Sequence, residues 1–273
     1  MKPSIQDIDN AKIYAKRKIY NINVLSDKIK KEYIKSFSKI LLLVYQQGYS
    51  PSFFQFEKYM GLNNQVDNEI NLLSLKLYKL IEDASIDIVR LSKEKNRQND
   101  DIDIIGYINK PYNGKDLNMR LGDYCSGSKM EFEGYIAAAL ILSKPINIVL
   151  NDFKANLGNI YASSIIRDAM ADKSGRIASK MILNKGISYG IGKYKNSLNS
   201  LIRLGRAIPN YAFGYVDEIY MRQSGAIGYY VLRGSSYPCQ ACDDVVGFYD
   251  LRLNSEVLPV HPNCMCFAVP VYN

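Results

Sequence analysis

The sequence predicts a mainly α fold: a helical N-terminal region and a helical body, ending in a small α+β module with short strands. Three observations predict it. Apolar residues recur at three- and four-residue steps through most of the chain up to about Met221, the signature of helices with one buried face. Two short runs near the C-terminus are rich in Tyr and Val and read as strands. Four of the five cysteines and the sole histidine fall after residue 238, so a separate small module is expected there.

The first helix is expected from about Asp9 to Gln47. Ile34, Phe37, Ile40, Leu41 and Val44 form one apolar stripe, and Gly48 and Pro51 stop it. A second, longer seam runs through Val66, Ile70, Leu73, Leu77, Leu80, Ile81, Ala84, Ile88 and Leu91. Two packed antiparallel helices explain both stripes; a coiled coil offered to a partner is the alternative. Lys93 to Asp103 is polar and charged, and reads as a linker or exposed loop. Lys110-Pro111 and Asn113-Gly114 add turn chemistry. Several shorter helices should follow: one opening at Lys115 to Arg120, one from Glu131 to Leu142, one from Ile146 to Met170, and one from Gly175 to Leu183. Ile227 to Arg233 and Phe267 to Tyr272 are the expected strands. The division this suggests is a helical hairpin over 1–98, a helical body over 99–238 and a knuckle over 239–273.

At 273 residues the chain can bury a substantial core, and its ordinary composition (47% hydrophobic, 23% charged) argues against wholesale disorder. The net charge of +8 is uneven. Lysines crowd the first fifty residues, so that basic N-terminal helix suits DNA or RNA, bound through phosphates; a solvated helix face is the bland reading. The module is acidic, with Asp243, Asp244, Asp250 and Glu256 against Arg252, and suits a phosphate backbone poorly. The longest apolar run, Tyr135 to Leu142, is far short of the roughly 20 residues of a membrane span. The N-terminus has no apolar leader core, so a reducing cytosol is the expected site of synthesis, where clustered cysteines favour metal over disulfides.

The clustered residues read Cys239-Gln-Ala-Cys242 and His261-Pro-Asn-Cys264-Met-Cys266. Thiolates and imidazole are the donors zinc prefers, and a closed structural site takes four of them at tetrahedral geometry. Cys239, Cys242, His261, Cys264 and Cys266 offer five candidates for four places. Cys264 and Cys266 lie on one side of an extended chain, so both can reach one metal, with His261 either a ligand or a hydrogen-bond partner of a thiolate. With so many soft donors the expected site is closed, a structural zinc knuckle rather than a catalytic centre. Cys125 stands apart and reads as a plain buried thiol.

Gly186-Ile-Ser188-Tyr-Gly190 matches the nucleophile elbow of serine hydrolases. That elbow needs a strand before it, whereas the preceding residues favour a helix, and the sole histidine belongs to the metal motif. Gly186 as a helix C-cap and Ser188 as the next N-cap explain the motif without catalysis, and no enzyme is expected.

The C-x-x-C pair, Gly247, then His261-Pro-Asn-Cys264-x-Cys266 and a short apolar strand together resemble the phage Mu F-like head morphogenesis, or minor head protein, family. Upstream, Tyr112-Asn-Gly114-Lys115 with Arg120, Lys185-Gly186-Ile-Ser188, and Gly225 to Tyr230 are similar to that family's helix openings and the strand leading into its first cysteine pair. The likeness spans about residues 105 to 273, and Met265 stands where the family usually has Arg. It implies a virion component, assembled in the host cytoplasm and placed in the capsid interior or at the portal vertex. It would bind portal protein and capsid subunits during head assembly and DNA packaging, with zinc as a structural staple. A zinc-ribbon nucleic-acid-binding protein is the alternative reading of the same motif.

Overall fold

The computed structural model describes residues 3–49, 54–98, 100–171, 196–253 and 257–272. The protein is mainly helical with a small antiparallel sheet near its C-terminus, as the sequence predicts. Helices α1 (Ile5–Gln47), α2 (Met60–Asn96), α3 (Ile104–Ile108), α4 (Leu117–Ile141), α5 (Ile146–Ala155), α6 (Ser164–Ala171) and α7 (Ser197–Gln223) precede β1 (Gly228–Leu232). A one-turn helix α8 (Gln240–Asp243), β2 (Gly247–Asp250) and β3 (Phe267–Val271) complete the described α-helices and strands.

Local chemistry sets most boundaries. Ser4 opens α1: its hydroxyl accepts from the Asp7 N–H at 3.2 Å and donates to the Asp7 carboxylate at 2.6 Å. Gly48, at φ 64°, follows the last helical residue of α1. The helix α2 runs into the expected linker as far as Asn96, because Lys93, Glu94 and Lys95 are good helix formers. It closes in a Schellman turn, with Arg97 at φ 54° and the Gln98 N–H donating to the Lys93 carbonyl at 3.1 Å. Asn113 and Gly114, both at positive φ, make the turn between the bridged residues Tyr112 and Lys115. Asp116 then caps α4 by accepting from the Met119 N–H at 2.8 Å. So the helix expected to open at Lys115 to Arg120 and the one expected over Glu131 to Leu142 are a single helix, Leu117–Ile141. The expected helix over Ile146 to Met170 is divided instead into α5 and α6, with a break after α5 where the Asn156 side-chain amide bonds back to the Asp152 carbonyl. The Gly175–Leu183 helix and the Gly186/Ser188/Gly190 motif lie outside the described residues.

The chain forms two compact units, each assembled from separated segments. One comprises Ile29–Tyr78 and Tyr112–Ile202. Its core is aromatic: Phe37 and Phe153 stack with centroids 3.6 Å apart, Phe132 and Tyr135 pack edge-on against both, and Tyr33 stacks on Phe153 and meets Phe132 edge-on. Here α1 and α2 run antiparallel, tied by Lys39–Glu69 at 3.0 Å and Lys76–Glu32 at 3.5 Å. Glu131 is buried and accepts from the Ser197 N–H at 2.7 Å and hydroxyl at 2.9 Å, which satisfies the first turn of α7. Asp152 accepts from Tyr135, Ser163 and Ser164, binding α4, α5 and α6 to one carboxylate.

The other unit comprises Met1–Lys28, Lys79–Pro111 and Arg203–Asn273, and carries the cysteine module. Its sheet has the order β2-β1-β3, all antiparallel. The strand β2 was not foreseen: its four residues, the first of them Gly247, are too short a run to show an alternation. Residues alternate across the sheet. Tyr229, Val231 and Ala268 face a core with Cys242, Cys264 and Cys266, while Phe267 and Val269 pack on Ala11 and Ala15 of α1.

Candidate metal centre

Two tight turns deliver the donors. In the first, the N–H groups of Cys242 and Asp243 donate to the Cys239 carbonyl at 3.0 and 2.9 Å, so the two cysteines of the C-x-x-C pair face the same way. In the second, the Cys264 N–H donates to the His261 carbonyl at 2.9 Å, which does the same for His261 and Cys264. The chain reaches the second turn through the cis peptide Leu258–Pro259.

The turns meet. Cys239 Sγ lies 3.3 Å from His261 Nε2, Cys242 Sγ lies 3.1 Å from the same nitrogen, and Cys242 and Cys264 have their sulfurs 4.0 Å apart. Tetrahedral zinc, with bonds of about 2.3 Å to sulfur and about 2.0 Å to nitrogen, places S···S at about 3.8 Å and S···N at about 3.5 Å. These three separations lie within a few tenths of an ångström of those values. Cys239, Cys242 and His261 form one group that can hold a metal ion; Cys242, Cys264 and Cys266 form a second. Cys242 belongs to both, so all five residues singled out by spacing come together in one cluster. All five cysteines of the chain are free thiols.

The electrostatics suit a ligand cluster. A hydrogen bond from Cys266 holds the Cys264 thiol down at about 5, helped by backbone N–H groups of Val260 and Cys266 and by the charge of Lys18. The reciprocal bond to Cys264, with burial, pushes the Cys266 thiol far up, and burial raises Cys242 to about 11. One thiolate thus forms readily, and its neighbours give up their protons when a cation compensates them.

Residues far away in sequence support the turns. From α7, Arg206 donates to Asn263 at 2.7 Å, and the Asn210 amide donates to the Cys264 carbonyl at 3.1 Å. Gly214, the next position at that spacing, approaches so closely that a Cβ would lie 2.4 Å from the Leu258 carbonyl oxygen. Arg233 braces the first turn, donating to the carbonyls of Cys239 and Ser235 and pairing with Asp243. Beside the site, Lys95 and Asp217 form a buried ion pair at 2.6 Å, completed by Ser92 at 3.0 Å and Asn96 at 2.7 Å. Sequence reasoning missed these supports. The four-residue spacing of Arg206, Asn210 and Gly214 was legible, but not what that face would touch.

The N-terminal lysines divide between roles. Lys12, Lys16, Lys28, Lys31 and Lys35 are exposed along α1, while Lys39 pairs with Glu69 and Lys18 is buried. Among the described residues no helix is long and apolar enough to cross a membrane. No protein-family model, no curated protein and no solved structure matches this chain, so the centre is read from its own geometry.

Proposed function

We propose that this chain is a structural protein of phage head assembly, a minor head protein that works by binding portal and capsid subunits and whose C-terminal module is fastened by one structural zinc. The observation that carries the reading is the cluster of Cys239, Cys242, His261, Cys264 and Cys266, built on the same turn-and-strand pattern that resembles the Mu F-like proteins. Soft donors in excess of four leave no position for a water ligand, so the metal's role is to hold the fold rather than to activate a nucleophile. The ligand set best supported is Cys239, Cys242, His261 and Cys264, because each of the two hydrogen-bonded turns then contributes a pair. Cys266 remains beside it as the hydrogen-bond donor to Cys264.

The test is affinity capture of the tagged protein from cells producing the native particle, with mass spectrometry of the complex. Portal and major capsid subunits are the expected partners; their absence from a complex that contains nucleic acid would overturn the reading. The second reading, a zinc-ribbon nucleic-acid-binding protein, rests on the exposed lysines of α1. It predicts DNA or RNA affinity that falls steeply with salt.

A further inference from the structure

We propose that Lys18 is the buried counter-ion of the metal–thiolate centre, and that its single charge matches a site of three thiolates and one imidazole. The inference rests on the metal reading above. Lys18 occupies a core position of α1, in the stripe Ala11, Ala15, Lys18, Ile22, and is only 3% exposed. Its ammonium sits 4.8 Å from the centre of the Phe213 ring. Among the described residues no carboxylate forms an ion pair with it. It lines a cavity of about 20 Å³ together with Cys266, Asn210 and Asp217. Asn210, on that same wall, has a buried side-chain oxygen without a hydrogen-bond partner. Burial pulls the Lys18 pKa down to about 8, and Cys264, Asp217 and Cys266 hold it up against that pull.

The charge count gives the stoichiometry. Asp217 is already matched by Lys95, Glu218 by Arg222 at 2.6 Å, and Asp243 by Arg233. Lys18 is left as one buried positive charge. A divalent ion with three thiolates and a neutral imidazole carries one negative charge; with four thiolates it carries two. A buried charge is tolerated when it is compensated, so Lys18 completes the first set and leaves the second one short. A lysine at a core position of a helix that packs on the β3 face also explains why α1, as far as Lys28, shares one unit with the module: the helix supplies the cation that the metal centre lacks.

The experiment compares the full-length chain with Lys18→Met, which keeps the length of the side chain, and Lys18→Arg, which keeps its charge. Zinc affinity is measured by competition with a chromophoric chelator. X-ray absorption of the zinc-loaded wild type counts sulfur and nitrogen neighbours. The expected result is three sulfurs and one nitrogen, at least tenfold weaker zinc binding in Lys18→Met, and a smaller loss in Lys18→Arg. Unchanged affinity in Lys18→Met overturns the proposal while leaving the metal reading intact. If that variant does not fold, the wild-type count still decides, because four sulfurs refute the charge match. A wild type that binds no zinc sinks the metal reading itself, and this inference with it.

Discussion

Gly234 and Met265 touch backbone to backbone: a Cβ on Gly234 would lie 1.9 Å from the Met265 carbonyl oxygen. Gly234 follows β1 on the way to the first metal turn, and Met265 lies between two cysteines of the second half. The two halves of the centre therefore close at a point where no side chain fits. Gly234→Ala should cost about 1–3 kcal/mol, the usual range for forced overpacking, since the obstacle is rigid backbone. Urea denaturation checks it; a midpoint equal to wild type would show that the loop yields freely.

The paired-turn ligand set separates Cys264 from Cys266. Cys264→Ser should abolish tight zinc binding and melt the C-terminal sheet at room temperature, and a strong chelator should do the same to the wild type. Cys266→Ser should keep the metal and weaken it by about 10–100-fold, the range seen when a group supporting a ligand is lost. Metal analysis of the purified variants, with circular dichroism, distinguishes them; equal losses from both substitutions would contradict the assignment.

Burial pushes the Glu131 carboxyl up to about 7, against the pull of its hydrogen bonds from Ser197 and Tyr33. The folded state then holds its proton more tightly than the unfolded chain, where the group titrates near 4.5. Stability from this group is full below the unfolded value and falls as pH rises from about 4.5 to about 7, by on the order of 3 kcal/mol. Glu131→Gln should flatten that part of the stability–pH curve. Urea midpoints at pH 5 and pH 8 test it: the wild type should be the more pH-sensitive of the two proteins.

Asp217 and Lys95 are each 4% exposed at the side chain and 2.6 Å apart. Asp217→Ala leaves Lys95 as an uncompensated buried charge and frees Ser92 and Asn96, and should cost about 3–5 kcal/mol. Replacing both, as Asp217→Leu with Lys95→Met, should recover much of the loss. A double variant no more stable than Asp217→Ala would show that the site depends on the Lys95 hydrogen bond to the Ala268 carbonyl rather than on charge.

Burial raises the Cys125 thiol to about 12, a value at which almost no thiolate exists at neutral pH. In the native protein Cys125 should resist alkylation for as long as the core stays closed, and react on addition of denaturant. Mass spectrometry after iodoacetamide treatment reads the result directly, and rapid native labelling would mean that the α4 region opens.

Much of the fold was legible because helices are written in local spacing. The stripe Phe37, Ile40, Leu41, Val44 and the seam from Val66 to Leu91 are periodic in the chain itself, and most of these residues are buried. The breaks were harder. Asn156 to Asn159 interrupts what periodicity alone joins, because an amide side chain bonding back to its own backbone does not change the apolar count. The short strand β2 exists only because β1 is beside it to pair with.

By itself the sequence determined the helical class, the two longer strands and the five candidate donor residues, since rare side chains at fixed short spacing need no distant partner to be noticed. Tertiary structure alone decided that the two turns meet within one metal's reach, that Arg206, Asn210 and Gly214 of α7 brace them, and that Lys18 lies inside rather than among the solvated lysines of α1. The reason is physical. A helix repeat says which residues share a face, but burial and charge compensation depend on what packs against that face, and those groups come from segments almost two hundred residues away.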